Sequence, residues 1–200
     1  MKLIVFNILS FLLLFSSVFA FNENNHQRYY PLNVGDNWEY FLGDTTEKAT
    51  LKFTIVSVDT IKGFHFVTTK QEWFKRDSFL YKQEYLQTVD NGFVITAMKN
   101  PVLMFQIQHP CDGSIKFSKF IAEKYSISLS EDQIEHLLSY RSAFTFIDFE
   151  SGTHSMWEFR NKKEVSKFAE NVGMVYLKND NVQLTLKTAN VKGKTFKLLQ

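Results

Sequence analysis

The tightest group of chemically capable side chains in this 200-residue sequence is His109-Pro110-Cys111-Asp112. Imidazole, thiolate and carboxylate all ligate metals. Adjacent positions broken by a proline are poorly placed to converge on one ion. A polar loop is therefore the expectation, with no metal and no cofactor assigned. Asp148, Glu150 and His154 gather around Gly152 in "DFESGTH". If Gly152 marks a hairpin turn these groups face water, and acid–base catalysis would need a third group from a distant part of the chain. His26, His65 and His136 complete the histidines, and none has the i, i+4 partner of a helical zinc site. The Gly-x-Ser-x-Gly nucleophile elbow and glycine-rich phosphate loops are absent from the sequence. Enzymatic activity stays undecided on these grounds, and the sequence leans against it.

Aromatic residues are what the chain has in excess: 21 Phe, 8 Tyr and 3 Trp. Most Phe residues fall at alternating positions, where core packing accounts for them. Trp38, Tyr40, Trp73 and Trp157 are the candidate binding residues. A row of exposed Trp or Tyr on a sheet stacks on sugar rings, but large aromatic side chains are usually at least partly buried, so core is the first expectation for them.

The elements that must position these residues are mainly strands. In "TLKFTIVSVD", Leu51, Phe53 and Ile55 alternate with polar neighbours, and the apolar set then shifts to Val56 and Val58, the mark of a bulge. Lys62-Gly63 leads into "FHFVTT". In the next segment Phe79, Tyr81, Gln83 and Tyr85 share one face, and Asn91-Gly92 turns the chain into "FVITAMK". "VLMFQI" is apolar on both faces, as a central strand is. Ser130 with Gln133 forms a capping box ahead of Ile134, Leu137 and Leu138, which predicts a helix over 131–140. Phe117, Phe120, Ile121 and Tyr125 also fit helical spacing, although a strand is compatible with their types. Strands resume in "AFTFIDF" and "SMWEF", followed by the polar "RNKKEVSK". "NVGMVYLK" and "VQLTLKT" flank a turn at Asn179-Asp180-Asn181. The predicted fold is mainly β: a curved antiparallel sheet or partly open barrel of about 8–10 strands with one or two short helices.

Residues 1–20 read as a signal peptide: Lys2, an apolar run from Leu3 to Phe15, and Val18-Phe19-Ala20 at the cleavage site. The run is too short to span a bilayer, and no cysteine follows it to carry a lipid anchor. Residues 21–200 are expected to form a single β-rich domain, exported to the periplasm or the extracellular space. With one Cys, no internal disulfide can form, so packing must hold the fold. No Asn-x-Ser/Thr acceptor exists, which leans toward a bacterial envelope protein. Charges nearly cancel, with 23 Lys and Arg against 21 Asp and Glu, so nucleic acid is not an expected partner.

The stretch "YYPLNVGDNWEY" resembles the start of a group of uncharacterised exported proteins from Bacteroidetes and related bacteria, through Tyr30, Pro31, Leu32, Gly35, Trp38 and Tyr40. Those proteins often carry a second Gly-Val-rich segment near the end, and "FAENVGMVYLK" is similar to it through Val172, Gly173, Met174 and Val175. The resemblance implies an exported β-sheet protein and no particular activity. The predicted architecture is also loosely similar to periplasmic lipoprotein carriers. The expected function is a non-catalytic envelope binding module holding an apolar small molecule or an envelope protein. The alternatives are a secreted hydrolase acting on glycans or esters and a structural surface-assembly protein. Within the opening stretch, Trp38 and Tyr40 are expected to plug a core rather than to form a ligand platform.

Overall fold

The structure is a computed structural model that describes residues 28–43, 49–76, 78–99, 103–113 and 117–199. The expected signal peptide and His26 lie outside these residues. In chain order the strands are β1 (Asn37–Leu42), β2 (Ala49–Ile61), β3 (Phe64–Lys75), β4 (Ser78–Asp90), β5 (Phe93–Lys99) and β6 (Leu103–Pro110). Helices α1 (Lys119–Lys124) and α2 (Glu131–Leu138) follow. The chain ends in β7 (Arg141–Phe149), β8 (Gly152–Arg160), β9 (Glu164–Ala169), β10 (Gly173–Asn179), β11 (Gln183–Val191) and β12 (Lys194–Phe196).

These strands form one antiparallel 12-stranded sheet in the order β6-β5-β4-β3-β2-β1-β11-β10-β9-β8-β7, with β12 on β11. The sheet is curved and open. His109 on β6, one end of the order, stacks on Phe168 of β9 with ring centres 5.2 Å apart, so the sheet curls back on itself. Tight turns drive the meander: Asn91 and Gly92 take φ of 45° and 71°, the left-handed pair that a two-residue hairpin demands.

The count exceeds the expected 8–10 strands because β9 and the short β12 do not stand out as strands in the sequence. "RNKKEVSK" reads as polar, yet Ser166 within it is fully buried, as are Phe168 and Ala169 just beyond it. Lys167 points outward instead and pairs with Glu158 at 3.0 Å. The bulge in β2 is present, with register shifting between Ile55 and Ser57. Val56 and Val58, however, face solvent, so the apolar set does not move inward there. Helix α2 carries both halves of the capping box and ends at Leu138, two residues short of the predicted end, with Ser139 as its cap. The ambiguous segment around Ile121 is helical.

Strands β3–β6 are covered on both faces over part of their length, while Ser78–Glu84 of β4 is exposed. Phe66, Leu86, Ile95 and Ile107 lie on one face beneath Ile121, Ala122, Tyr125 and Leu137 from the two helices and the residue that caps the first. Because alternate residues point to opposite faces, Gln71, Gln87 and Thr96 turn toward the inside of the curl. Facing them across the interior are β1, β10 and β11, whose side chains belong to the larger core. No helix among the described residues is long and apolar enough to cross a membrane.

Candidate functional site

The segments around Trp38 and around Gly173 meet in space. Trp38 donates its indole N–H to the Val172 carbonyl at 2.6 Å, and Tyr40 donates its hydroxyl to the Met174 carbonyl at 2.9 Å. Gly173, between those carbonyls, has φ of +101°, and a Cβ there would lie 3.1 Å from Trp38 Nε1 and 3.4 Å from Pro31 Cδ. Only glycine fits that conformation and that space without strain. Upstream, buried Asp36 holds the lead-in: its carboxylate accepts from the Asn33 backbone N–H at 3.1 Å and from the Lys192 backbone N–H at 2.8 Å. Trp38 and Tyr40 are 6% and 2% exposed.

Beside this plug the curl is not filled. A partly open cavity of about 260 Å³ lies between the two halves of the sheet. One wall is apolar and aromatic: Trp38, Tyr40 and Phe53 from β1 and β2, with Met174, Leu177 and Leu184 from β10 and β11. The other is built from amides and hydroxyls, with Gln71, Gln83, Tyr85, Gln87, Thr96 and Gln108 drawn from β3 to β6. The register explains how they assemble. Trp38 pairs with Phe53, Phe53 with Gln71, and Gln71 with Gln83, so one cross-strand row runs from aromatic to polar. A second row pairs Gln87 with Thr96 across β4 and β5.

The polar wall is only partly satisfied. Gln83 Nε2 donates to Gln71 Oε1 at 2.6 Å, Tyr30 donates its hydroxyl to Gln87 Oε1 at 3.3 Å, and Gln108 Nε2 donates to Thr96 Oγ1 at 2.7 Å. Among the described residues, the other ends of the Gln71 and Gln87 amides and the Tyr85 hydroxyl have no hydrogen-bond partner. Thr69 Oγ1, two residues from Gln71 along β3 and on the same face, is buried and unpartnered as well. Of these groups only Thr69 Oγ1 is fully buried without a partner, and it lies outside the lining; the free amide ends and the Tyr85 hydroxyl reach the open cavity, where water or a ligand can pair them.

Among the described residues, no Asp, Glu, Lys or Arg lines the cavity. His109, which also lines the cavity, has its pKa lowered by burial, so the neutral imidazole is favoured there. Burial raises the pKa of Tyr85 and of Tyr40, keeping both phenols neutral.

The other candidates are placed elsewhere. Trp73 is partly buried in the larger core and pairs with Leu51 and Tyr81, and its buried indole N–H has no partner. It lies outside the lining, two residues beyond Gln71 on the same face. Trp157 packs against Phe144 and Tyr29, with ring centres 5.0 and 6.4 Å away, and leaves no room for a Cβ at Gly113. Cys111 is fully buried, its backbone N–H bonded to Gly92 O at 2.7 Å, and burial pushes its thiol well up. His154 sits between Phe149 and Phe196 and meets the Glu170 carbonyl at 3.1 Å. Asp148 accepts from Thr153 at 2.6 Å in the β7–β8 hairpin, and neither it, Glu150 nor His154 lines the cavity.

Of the four candidate binding residues, the fold thus brings Trp38 and Tyr40 to the cavity. Sequence reasoning does not single out the glutamines. Their signal is present in the alternation Gln83-Tyr85-Gln87, an amide at positions where a core strand carries an aliphatic residue.

No protein-family model and no curated protein matches the sequence. Among solved structures, the chain is similar to a "putative lipoprotein" from Parabacteroides distasonis. The two are 14% identical over 80% of this chain and 97% of that one, with a TM-score of 0.43.

Proposed function

We propose that this protein is a non-catalytic binding module of the bacterial envelope that holds a small molecule in the cavity of its curled sheet. The cavity carries the reading: it adjoins a rigid aromatic plug, and its polar wall keeps unused hydrogen-bonding capacity in a concave, mostly apolar site. The volume is a constraint. At about 30 Å³ per water it equals roughly nine waters, which suits one ring or a short acyl segment and is far below a two-chain lipid. The export part of the reading rests on residues 1–20. A saturation-transfer NMR experiment with 2-naphthol, a small neutral aromatic, tests the binding part. Transfer to the probe is expected with the native protein, and Val94→Phe, which places a ring in the cavity that Val94 of β5 lines, should weaken it at least tenfold. Absence of transfer to 2-naphthol, with no other neutral small molecule bound in the cavity, refutes the reading.

One observation favours a second reading, surface assembly through β7. This strand ends the sheet, with Phe144 and Phe146 51% and 66% exposed. The C-terminal segment covers only its far end, through Glu150 N–H to Lys197 O and Leu199 N–H to Asp148 O. Exposed edges of this kind accept further strands. Light scattering should then show concentration-dependent association that Phe146→Glu abolishes. A native protein that stays monomeric at every concentration ends this reading.

A further inference from the structure

Resting on the cavity-binding reading, we infer that the occupant is an uncharged saccharide ring. Two properties of the walls select it together. The first is electrical: with no charged side chain among the described lining residues and a histidine held neutral, a carboxylate, phosphate or ammonium would enter unpaired. Burying an unpaired ion is strongly unfavourable, so fatty acids, phospholipid head groups and amino sugars bearing a proton are disfavoured.

The second property is the arrangement of the two walls. A sugar ring has a face of C–H groups and an edge of hydroxyls. The face needs an aromatic surface, which half-buried Phe53 supplies, with the buried Tyr40 ring packed edge-to-face against it at 5.6 Å between ring centres. The edge needs groups that donate and accept. With their Oε1 atoms already accepting from Gln83 and Tyr30, the free ends of Gln71 and Gln87 are the Nε2 groups, which donate. The Tyr85 hydroxyl also donates or accepts. A purely aliphatic ligand would leave these groups unsatisfied, a penalty that attaches to each buried polar group without a partner, so the wall discriminates against it. Size agrees, because the cavity of about 260 Å³ takes one ring. Gln83, exposed at the outer end of the polar wall, marks the side from which a longer glycan would enter.

The test is an NMR titration of the purified protein with neutral methyl glycosides of glucose, galactose, mannose and N-acetylglucosamine. Glucuronate and glucosamine serve as charged counterparts, and 2-naphthol as the apolar reference. At least one neutral glycoside should bind, with both charged sugars at least tenfold weaker. Gln87→Leu and Gln71→Leu, near-isosteric changes checked by thermal melting, should weaken that glycoside at least tenfold, and by a larger factor than they change 2-naphthol. Equal binding of charged and neutral sugars overturns the inference. So does 2-naphthol binding without any neutral glycoside, which leaves the cavity-binding reading intact. If neither binds, the cavity-binding reading falls, and this inference with it.

Discussion

Gly173→Ala probes the joint between the β1 segment and the start of β10. Two costs add at this position. A non-glycine residue at φ of +101° is strained by about 1–3 kcal/mol. The new Cβ would also lie 3.1 Å from Trp38 Nε1, and pushing the indole away loosens its 2.6 Å bond to Val172 O. A net hydrogen bond contributes about 1 kcal/mol, so the total should be roughly 2–4 kcal/mol. In urea, with a slope near 2 kcal/mol/M, the midpoint should fall by about 1–2 M. Gly193→Ala is the matched control. Gly193 also has positive φ, +75°, but nothing lies within 4 Å of the place a Cβ would take, so only backbone strain of about 1–2 kcal/mol applies. Trp38→Phe completes a double-mutant cycle, since removing the indole N–H should erase most of the extra cost of Gly173→Ala. If Gly173→Ala costs no more than Gly193→Ala, or its cost is unchanged in the Trp38→Phe background, the joint does not work as described.

Three further outcomes follow from the same structure. Ser130→Ala removes the side-chain acceptor for the Gln133 N–H and should cost about 1 kcal/mol. Hydrogen exchange should quicken in α2, and unchanged exchange would discount the cap. Cys111 is fully buried with its thiol pushed up, so a disulfide reagent should react only as the protein unfolds, and rapid reaction of the folded protein would contradict its placement. For His109, burial lowers the folded pKa below the value of about 6.5 in an unfolded chain. Between those two values the unfolded state binds the extra proton, so stability rises with pH across that window and is lost as pH falls through it. Thermal midpoints at pH 7.5 and 5.5 should therefore differ more for the native protein than for His109→Gln, and equal differences would remove His109 from this account.

Strand content, most hairpin turns and the capping box of α2 are legible in the sequence because they are local. Asn91-Gly92 needs only its own φ angles, and Ser130 reaches only as far as Gln133. Strand β9 is not legible. Its one lysine, Lys167, reports the outer face, and the burial of Ser166 depends on strands that arrive from elsewhere. Trp38 and Tyr40 stand out by residue type, while their partners, the Val172 and Met174 carbonyls, lie 134 positions away. The glutamine wall illustrates the limit most sharply. Alternation places Gln83, Tyr85 and Gln87 on one face of β4, but a single strand does not say whether that face meets water or an interior. The curl decides it, by bringing β1, β10 and β11 opposite and covering the other face of β3–β6 with the helices. Composition and local pattern thus determined that this chain is a β-sheet protein held by packing. Long-range register alone turned its amides inward and left a neutral cavity between them and the aromatic plug.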